Sequence, residues 1–142
     1  MTLPFRYLLR VRYGECDAQG IVYNARWGDY IDIAVSEYGR TLFGAIDALD
    51  WKLVKQTIEW RASARFDDVL EIRVRTVRLG TTSFVLACEF VRHGSDASLA
   101  TAETTYVMVD TAGAKRAIPD AARVALERGA PGAVVDHAAA IS

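Results

Sequence analysis

The feature that most constrains this sequence is a change of hydrophobic period near its start. Over residues 5–13 every second side chain is apolar or aromatic, which predicts a half-buried β-strand. Over residues 23–38 apolar side chains recur at intervals of three and four, which predicts one buried face of an α-helix. Residues 14–22 between them contain Gly14, Asp17 and Gly20 and predict a tight turn. The chain must therefore pass from a strand into a buried helix through this turn.

Most of the later chain has the pattern of β-strands. Strands are predicted over residues 51–60, 69–79, 83–92 and 99–109, with a connection over residues 45–50. The apolar alternation changes phase near Val77, which predicts a β-bulge. Residues 83–92 are apolar on both faces, as in a strand that is covered on both sides. Pro119 followed by Asp120 predicts the start of a short helix, and Gly129 predicts its end.

One strand, one long helix, four strands and a short helix predict an α+β domain. We expect the helix to be wrapped by a curved antiparallel sheet of about five strands. The length of 142 residues fits a single domain. The net charge of −1 gives no electrostatic reason to expect nucleic acid or an anionic membrane as a partner. No apolar run is long enough for a membrane span and no signal peptide is visible, so we expect a cytoplasmic protein.

The turn carries the candidate chemistry. Asp17 precedes a helix start, where main-chain N–H groups lack partners within the helix. A carboxylate beside such donors suits attack on a carbonyl whose oxygen gains negative charge. The alternative is that Asp17 only closes the turn, while Glu15 is expected to be a solvated neighbour. Cys16 is a second candidate nucleophile, although neither histidine is near it in sequence, and no cluster of metal-ligand type occurs.

Five segments of the sequence carry a family resemblance. They are residues 11–24 (VRYGECDAQGIVYN), 64–72 (ARFDDVLEI), 79–84 (LGTTSF), 104–110 (TTYVMVD) and 117–120 (AIPD). Together they resemble the hotdog-fold acyl-CoA thioesterases, in the branch of the 4-hydroxybenzoyl-CoA thioesterases and the YbgC-like enzymes. The resemblance implies a hotdog thioesterase domain over residues 1–129. The Ala, Gly and Pro content of residues 130–142 predicts a poorly ordered tail.

The resemblance also implies the site residues. It makes Asp17 the catalytic carboxylate, as nucleophile or general base, and Asn24, with Tyr23, the source of backbone oxyanion donors. Many YbgC-like members carry His where this chain has Asn24. The expected substrate contacts are Gly20, Val22, Trp27 and Ser83. Another hotdog branch uses a helix acid instead, for which Asp29, Asp32 and Glu37 are the candidates here.

The implied substrate is a short-chain or aromatic acyl-CoA. No separate cofactor is expected, because CoA is part of the substrate. The CoA phosphates need cations, for which the candidates are Arg61, Arg65, Arg92, Lys115 and Arg116. The expected assembly is a homodimer or a dimer of dimers. The alternatives are an acyl-carrier-protein thioesterase and a non-catalytic acyl-CoA-binding subunit.

Overall fold

The computed structural model describes residues 3–44 and 50–141. Within these ranges the chain forms six strands and two helices. They are β1 (Phe5–Arg10), α1 (Arg26–Phe43), β2 (Trp51–Trp60), β3 (Val69–Leu79), β4 (Ser83–Arg92), β5 (Ser98–Met108), α2 (Asp120–Arg128) and β6 (Val134–Asp136). The connection expected over residues 45–50 lies, apart from Asp50, outside the described residues. The other elements predicted from the sequence are confirmed, with small changes of bounds.

All six strands belong to one sheet, in the order β2-β5-β4-β3-β1-β6. Four of the five pairings are antiparallel, but β6 runs parallel to β1. The expected antiparallel sheet of about five strands is therefore a mixed sheet of six. The predicted bulge is confirmed, because the register of β3 against β4 shifts between Thr76 and Arg78.

The sixth strand lies in the segment expected to be a poorly ordered tail. Val134, Val135 and Asp136 pair with β1, and Val135 packs against the core. The Asp136 carboxylate also accepts hydrogen bonds from the N–H groups of Ala138, Ala140 and Ile141. The expectation followed from the Ala, Gly and Pro content of residues 130–142, but a short strand at a sheet edge needs few apolar residues.

The first helix buries the apolar stripe that the sequence predicted. Its buried residues are Trp27, Tyr30, Ile31, Ala34, Val35, Tyr38 and Gly39. The helix ends before Gly44, whose φ of +79° is the left-handed conformation common after a helix. Ala25 occupies the N-cap position of this helix without a side-chain hydrogen bond. The inward faces of β1, β3, β4 and β5 complete the same core.

None of the described helices is long and apolar enough to cross a membrane.

Candidate active site

The segment between β1 and α1 folds into a closed turn at Asp17. β1 ends at Arg10 rather than at residue 13, because Tyr13–Glu15 form a single 3-10 turn. The Asp17 N–H donates to the Ile21 carbonyl at 2.8 Å, and the Gly20 N–H donates to the Asp17 carbonyl at 3.0 Å. Gly20 has φ +77°, a conformation that glycine adopts without strain. The predicted glycine turn is therefore present.

The Asp17 carboxylate has one oxygen engaged in this turn. Oδ1 accepts a hydrogen bond of 2.8 Å from the Gln19 N–H, as in an Asx turn. Within the described part of the chain, Oδ2 accepts no hydrogen bond. The residue thus closes the turn through one oxygen and has the other available for a ligand.

Asp17 lines an open hollow of about 490 Å³. Tyr13 and Phe66 form its aromatic part, with ring centroids 5.9 Å apart and an edge-to-face angle of 89°. Their exposed fractions of 80% and 54% are high for aromatic side chains. A single chain therefore presents apolar surface next to the acid.

The expected backbone donors differ in their availability. The Tyr23 N–H already donates to the Glu15 carbonyl at 3.0 Å, so it is not available to a substrate. Across the described residues, no backbone or side-chain acceptor engages the Asn24 N–H. Asn24 precedes the first turn of α1, where the helix dipole favours negative charge. Of the two expected donors, only the Asn24 N–H group is therefore available to a ligand among the described residues.

Asn24 lines a second hollow, of about 260 Å³, which it shares with Val22, Trp27, Trp60 and Arg61. The chain passes from the Asp17 hollow to this one through Ile21 and Val22. The Val22 N–H bonds the Ala64 carbonyl at 2.8 Å, and Ile21 pairs with Arg65. In one chain Asp17 and Asn24 therefore line adjacent hollows rather than one.

The residues expected to contact the substrate are also divided between the Asp17 hollow and the Asn24 hollow. Gly20 lines the Asp17 hollow, and the largely buried Val22 and Trp27 line the Asn24 hollow. Ser83 is not brought to either hollow. It begins β4, whereas the candidate turn lies near Arg65, beyond the opposite end of that strand. A ten-residue strand spans about 30 Å, so Ser83 is remote from the Asp17 of its own chain.

Glu15 holds the turn against the helix, a role that the sequence did not suggest. The residue is 8% exposed, so the expectation of a solvated neighbour is wrong. Its carboxylate accepts from the Arg12 N–H at 2.8 Å, from the Arg12 guanidinium at 2.7 Å and from the Tyr30 hydroxyl at 2.9 Å. Burial alone raises the pKa of Glu15, but these hydrogen bonds outweigh it and the pKa is lowered. The three-residue spacing of Arg12 and Glu15 is visible in the sequence, whereas the contact with Tyr30 depends on the fold.

The Cys16 thiol is a poor rival to Asp17. Its sulfur lies 3.8 Å from the Arg12 carbonyl. Burial, with the negative charges of Glu15 and Asp17, raises the pKa of this thiol, which disfavours the thiolate. Both cysteines are free thiols, and Cys88 is buried.

The three helix acids lie outside both hollows. Asp29 is paired with Arg26 at 3.2 Å, and Glu37 is paired with Arg40. Burial and the charge of Asp29 raise the pKa of Asp32. No group of three or more His, Cys, Asp and Glu side chains in the described ranges is arranged to hold a metal ion.

The candidate cations are not equally available. Arg92 pairs with Asp68 at 3.3 Å, and Arg116 approaches Asp50 at 3.8 Å. Arg61 donates to the Thr101 hydroxyl at 3.0 Å and lies 3.9 Å from Glu59. For Arg65 and Lys115, the described residues provide no ion-pair partner. Arg65 is the nearer of these to the candidate turn, because it pairs with Ile21.

Comparison with known proteins identifies the class to which this fold and turn belong. Residues 11–126 match the model of the thioesterase-like superfamily. Acyl-CoA thioester hydrolase YbgC of Escherichia coli O6:H1 (strain CFT073) is 35% identical over 124 residues, which cover 83% of this chain and 92% of that protein. The chain belongs to the thioesterase-like superfamily and has its hotdog fold.

Two solved structures are similar over nearly their whole length. A hypothetical protein from Aquifex aeolicus has a TM-score of 0.78 at 26% identity, covering 87% of this chain and 99% of that one. A gentisyl-coenzyme A thioesterase has a TM-score of 0.76 at 27% identity, covering 85% of this chain and 98% of that one.

Proposed function

We propose that this protein hydrolyses the thioester of a short-chain or aromatic acyl-CoA to the free acid and CoA, with Asp17 as its catalytic carboxylate. The observation that carries the proposal is the Asp17 turn. Among the described residues, one Asp17 carboxylate oxygen and the Asn24 N–H group have no hydrogen-bond partner, and the carboxylate lines an open hollow just before the start of α1. The similarity to an acyl-CoA thioester hydrolase and to a gentisyl-coenzyme A thioesterase supports the reaction class.

Asp17 can act in either of two ways. As a nucleophile, its oxygen attacks the thioester carbon, the C–S bond breaks, and CoA leaves as a thiolate that takes a proton from water. A second water then opens the mixed anhydride and regenerates the carboxylate. As a general base, Asp17 takes a proton from a water molecule whose oxygen attacks the same carbon. The C–S bond then breaks, and the leaving CoA thiolate takes up that proton, which regenerates the carboxylate. Neither route requires a separate cofactor.

The Asn24 N–H is the proposed oxyanion donor. It lies at the positive end of α1, and no hydrogen bond within the described chain competes for it. Because the donor is a main-chain group, the proposed role does not depend on a histidine side chain at this position. In the productive complex the thioester spans Ile21 and Val22, with its carbonyl directed toward Asn24. Gly20, Val22 and Trp27 then contact the substrate.

The proposed protein is a homodimer or a dimer of dimers. β2 is the outer strand at one edge of the described sheet, where β5 is the one strand paired with it. Leu53 and Val54 on this strand are 43% and 59% exposed, a combination typical of an edge that another strand covers. A second copy is also required if Ser83 contacts the substrate, because Ser83 is remote from the Asp17 of its own chain.

The CoA part of the substrate carries phosphates, and Arg65 is the cation that we assign to them. Its guanidinium has no ion-pair partner in the described chain, and its backbone pairs with the candidate turn. An acyl-carrier-protein thioesterase would instead need a basic docking surface for an acidic partner protein. The two unpaired thiols fit the cytoplasmic location that goes with a CoA substrate.

A thiol-release assay over aromatic, short-chain and long-chain acyl-CoAs, with matched acyl-carrier-protein substrates, tests the proposal. We expect turnover of at least one short-chain or aromatic acyl-CoA, and faster turnover of the CoA substrate than of its carrier counterpart. Arg65→Ala should raise KM for acyl-CoA more than for the acyl-pantetheine that lacks the phosphates. Tight binding of acyl-CoA without thiol release would instead indicate a non-catalytic subunit.

A further inference from the structure

The Asp17 turn is the tip of a short antiparallel hairpin, whose two arms are residues 15–17 and 21–23. An isolated bridge pairs the middles of the arms. The hydrogen bonds on either side of it run from the Asp17 N–H to the Ile21 carbonyl at 2.8 Å and from the Tyr23 N–H to the Glu15 carbonyl at 3.0 Å. Asn24 follows the second arm directly. The hairpin therefore sets where Asp17 lies relative to the Asn24 N–H, and Glu15 is at its base.

The Glu15 side chain joins this base to the helix that follows. Its Oε1 atom accepts from the Arg12 N–H at 2.8 Å and from the Tyr30 hydroxyl at 2.9 Å. Arg12 precedes the hairpin, and Tyr30 lies in the second turn of α1. The other oxygen, Oε2, accepts from the Arg12 guanidinium, which belongs to a side chain that is 77% exposed. One buried oxygen thus connects the chain before the hairpin to the helix after it.

Tyr30 gives this connection a rigid anchor in the core. Its ring lies edge-on to Trp27, with centroids 6.1 Å apart. Trp27 in turn lies edge-on to Phe90 of β4, with centroids 5.0 Å apart. Such aromatic contacts fix the orientation of the rings. The Tyr30 hydroxyl is therefore held in place by the same core that holds α1.

The Glu15 side chain does not line the hollow of Asp17 or that of Asn24. With Arg12 and Tyr30 it lines a separate hollow of about 230 Å³. An effect of Glu15 on hydrolysis must therefore act through the placement of other groups, since its carboxylate is not at the surface that a substrate would contact.

We propose that Glu15 is a positioning residue, whose Oε1 atom holds the Asp17 carboxylate and the Asn24 N–H at the separation that hydrolysis requires. The inference rests on the proposed function, which makes these two groups act on one thioester. Asp17 must address the carbonyl carbon while the Asn24 N–H binds its oxygen. A displacement of about 1 Å between reacting groups can cost about 100-fold in rate.

Steady-state kinetics on one good acyl-CoA substrate test the positioning. Glu15→Ala should lower kcat by about 10- to 100-fold and change KM by less than about threefold, because the substrate surface is intact. Glu15→Gln keeps an acceptor oxygen for the Arg12 N–H and the Tyr30 hydroxyl, so its kcat should stay within about threefold of the wild type. Tyr30→Phe removes the donor and keeps the ring, and it should lower kcat as Glu15→Ala does.

Glu71→Ala is the matched control for loss of stability. Glu71 is also a buried glutamate, 4% exposed, and it accepts from the Arg73 guanidinium at 2.7 Å. It lies outside the Asp17 and Asn24 hollows. Glu71→Ala should therefore lower the melting temperature and leave kcat within about threefold of the wild type, when all variants are assayed below the onset of unfolding.

The kinetics distinguish failure of the inference from failure of the proposed function. The inference is wrong if Glu15→Ala and Tyr30→Phe keep near-wild-type kcat while Asp17→Asn does not, a result that leaves the proposed function intact. It is also wrong if Glu15→Gln loses as much kcat as Glu15→Ala, because Oε1 is then not the atom that holds the hairpin. If Glu15→Ala does not fold, Tyr30→Phe decides. Near-wild-type activity of Asp17→Asn would overturn both proposals.

Discussion

The contact between Glu15 and Tyr30 gives a quantitative test of how the turn is held. Tyr30 is 2% exposed, and its hydroxyl donates a hydrogen bond of 2.9 Å to the Glu15 carboxylate. Glu15→Ala removes this acceptor. A buried hydroxyl left without a partner costs about 1–3 kcal/mol. The ion pair with Arg12 adds at most about 1 kcal/mol, because that side chain is 77% exposed. We therefore expect a loss of about 1–4 kcal/mol in the free energy of unfolding.

Thermal or urea unfolding measures this loss. For a chain of 142 residues, it corresponds to a fall in melting temperature of about 3–13 °C. Glu103→Ala is the matched control, since Glu103 is exposed and has no ion-pair partner in the described residues. A double-mutant cycle with Tyr30→Phe should give a coupling of about 1–2 kcal/mol. If Glu15→Ala costs no more than Glu103→Ala, or if the cycle shows no coupling, the reasoning is refuted.

The same carboxylate predicts a dependence on pH. Its folded pKa lies below the unfolded value of about 4.5, so its stabilising contribution is complete above that value and is lost as the pH falls through the folded pKa. Glu15→Gln should therefore be less stable than the wild type at pH 7, and the difference should shrink as the pH falls below about 4.5. A difference that stays constant from pH 7 to pH 3 would contradict this assignment.

Three further predictions concern the turn, the sheet edge and a buried acid. Gly20→Ala should destabilise the protein by about 1 kcal/mol and lower kcat, because its φ of +77° is left-handed, whereas Gly14→Ala should do neither. Val54→Lys should convert the assembly to monomers in light scattering if β2 is the subunit contact, and Val124→Lys, at the same exposed fraction of 59%, should not. Burial alone raises the pKa of Glu71, but its arginine and histidine partners lower it below the usual value. Glu71→Gln should thus cost about 3 kcal/mol at pH 7, and the difference in unfolding free energy should shrink as the pH falls below the ordinary glutamate value of about 4.5.

The sequence predicted those features of the fold that depend on local patterns. The three-and-four spacing from Trp27 to Tyr38 gave the buried face of α1, and the phase change near Val77 gave the bulge. Pro119 and Gly129 marked the ends of α2 correctly. Each of these signals depends on side chains or backbone preferences within a few residues of one another.

Features that depend on distant parts of the chain were not predicted. β6 exists because β1 offers a free edge more than a hundred residues earlier, and its own composition does not indicate a strand. The burial of Glu15 depends on Tyr30, 15 residues later in the chain, and the aromatic pair beside Asp17 joins Tyr13 to the much more distant Phe66. The turn around Asp17 was predictable, but the use of the Tyr23 N–H by Glu15 was not.

The measurement that tests the central proposal most directly is kcat/KM for one good acyl-CoA substrate with Asp17→Asn beside Asp29→Asn. Both changes replace a carboxylate by an amide of the same shape, and Asp29 lies in the first turn of α1 outside both hollows. We predict a loss of at least about 100-fold for Asp17→Asn and a change within about threefold for Asp29→Asn. If Asp17→Asn keeps near-wild-type activity, the carboxylate in the turn is not the catalytic group.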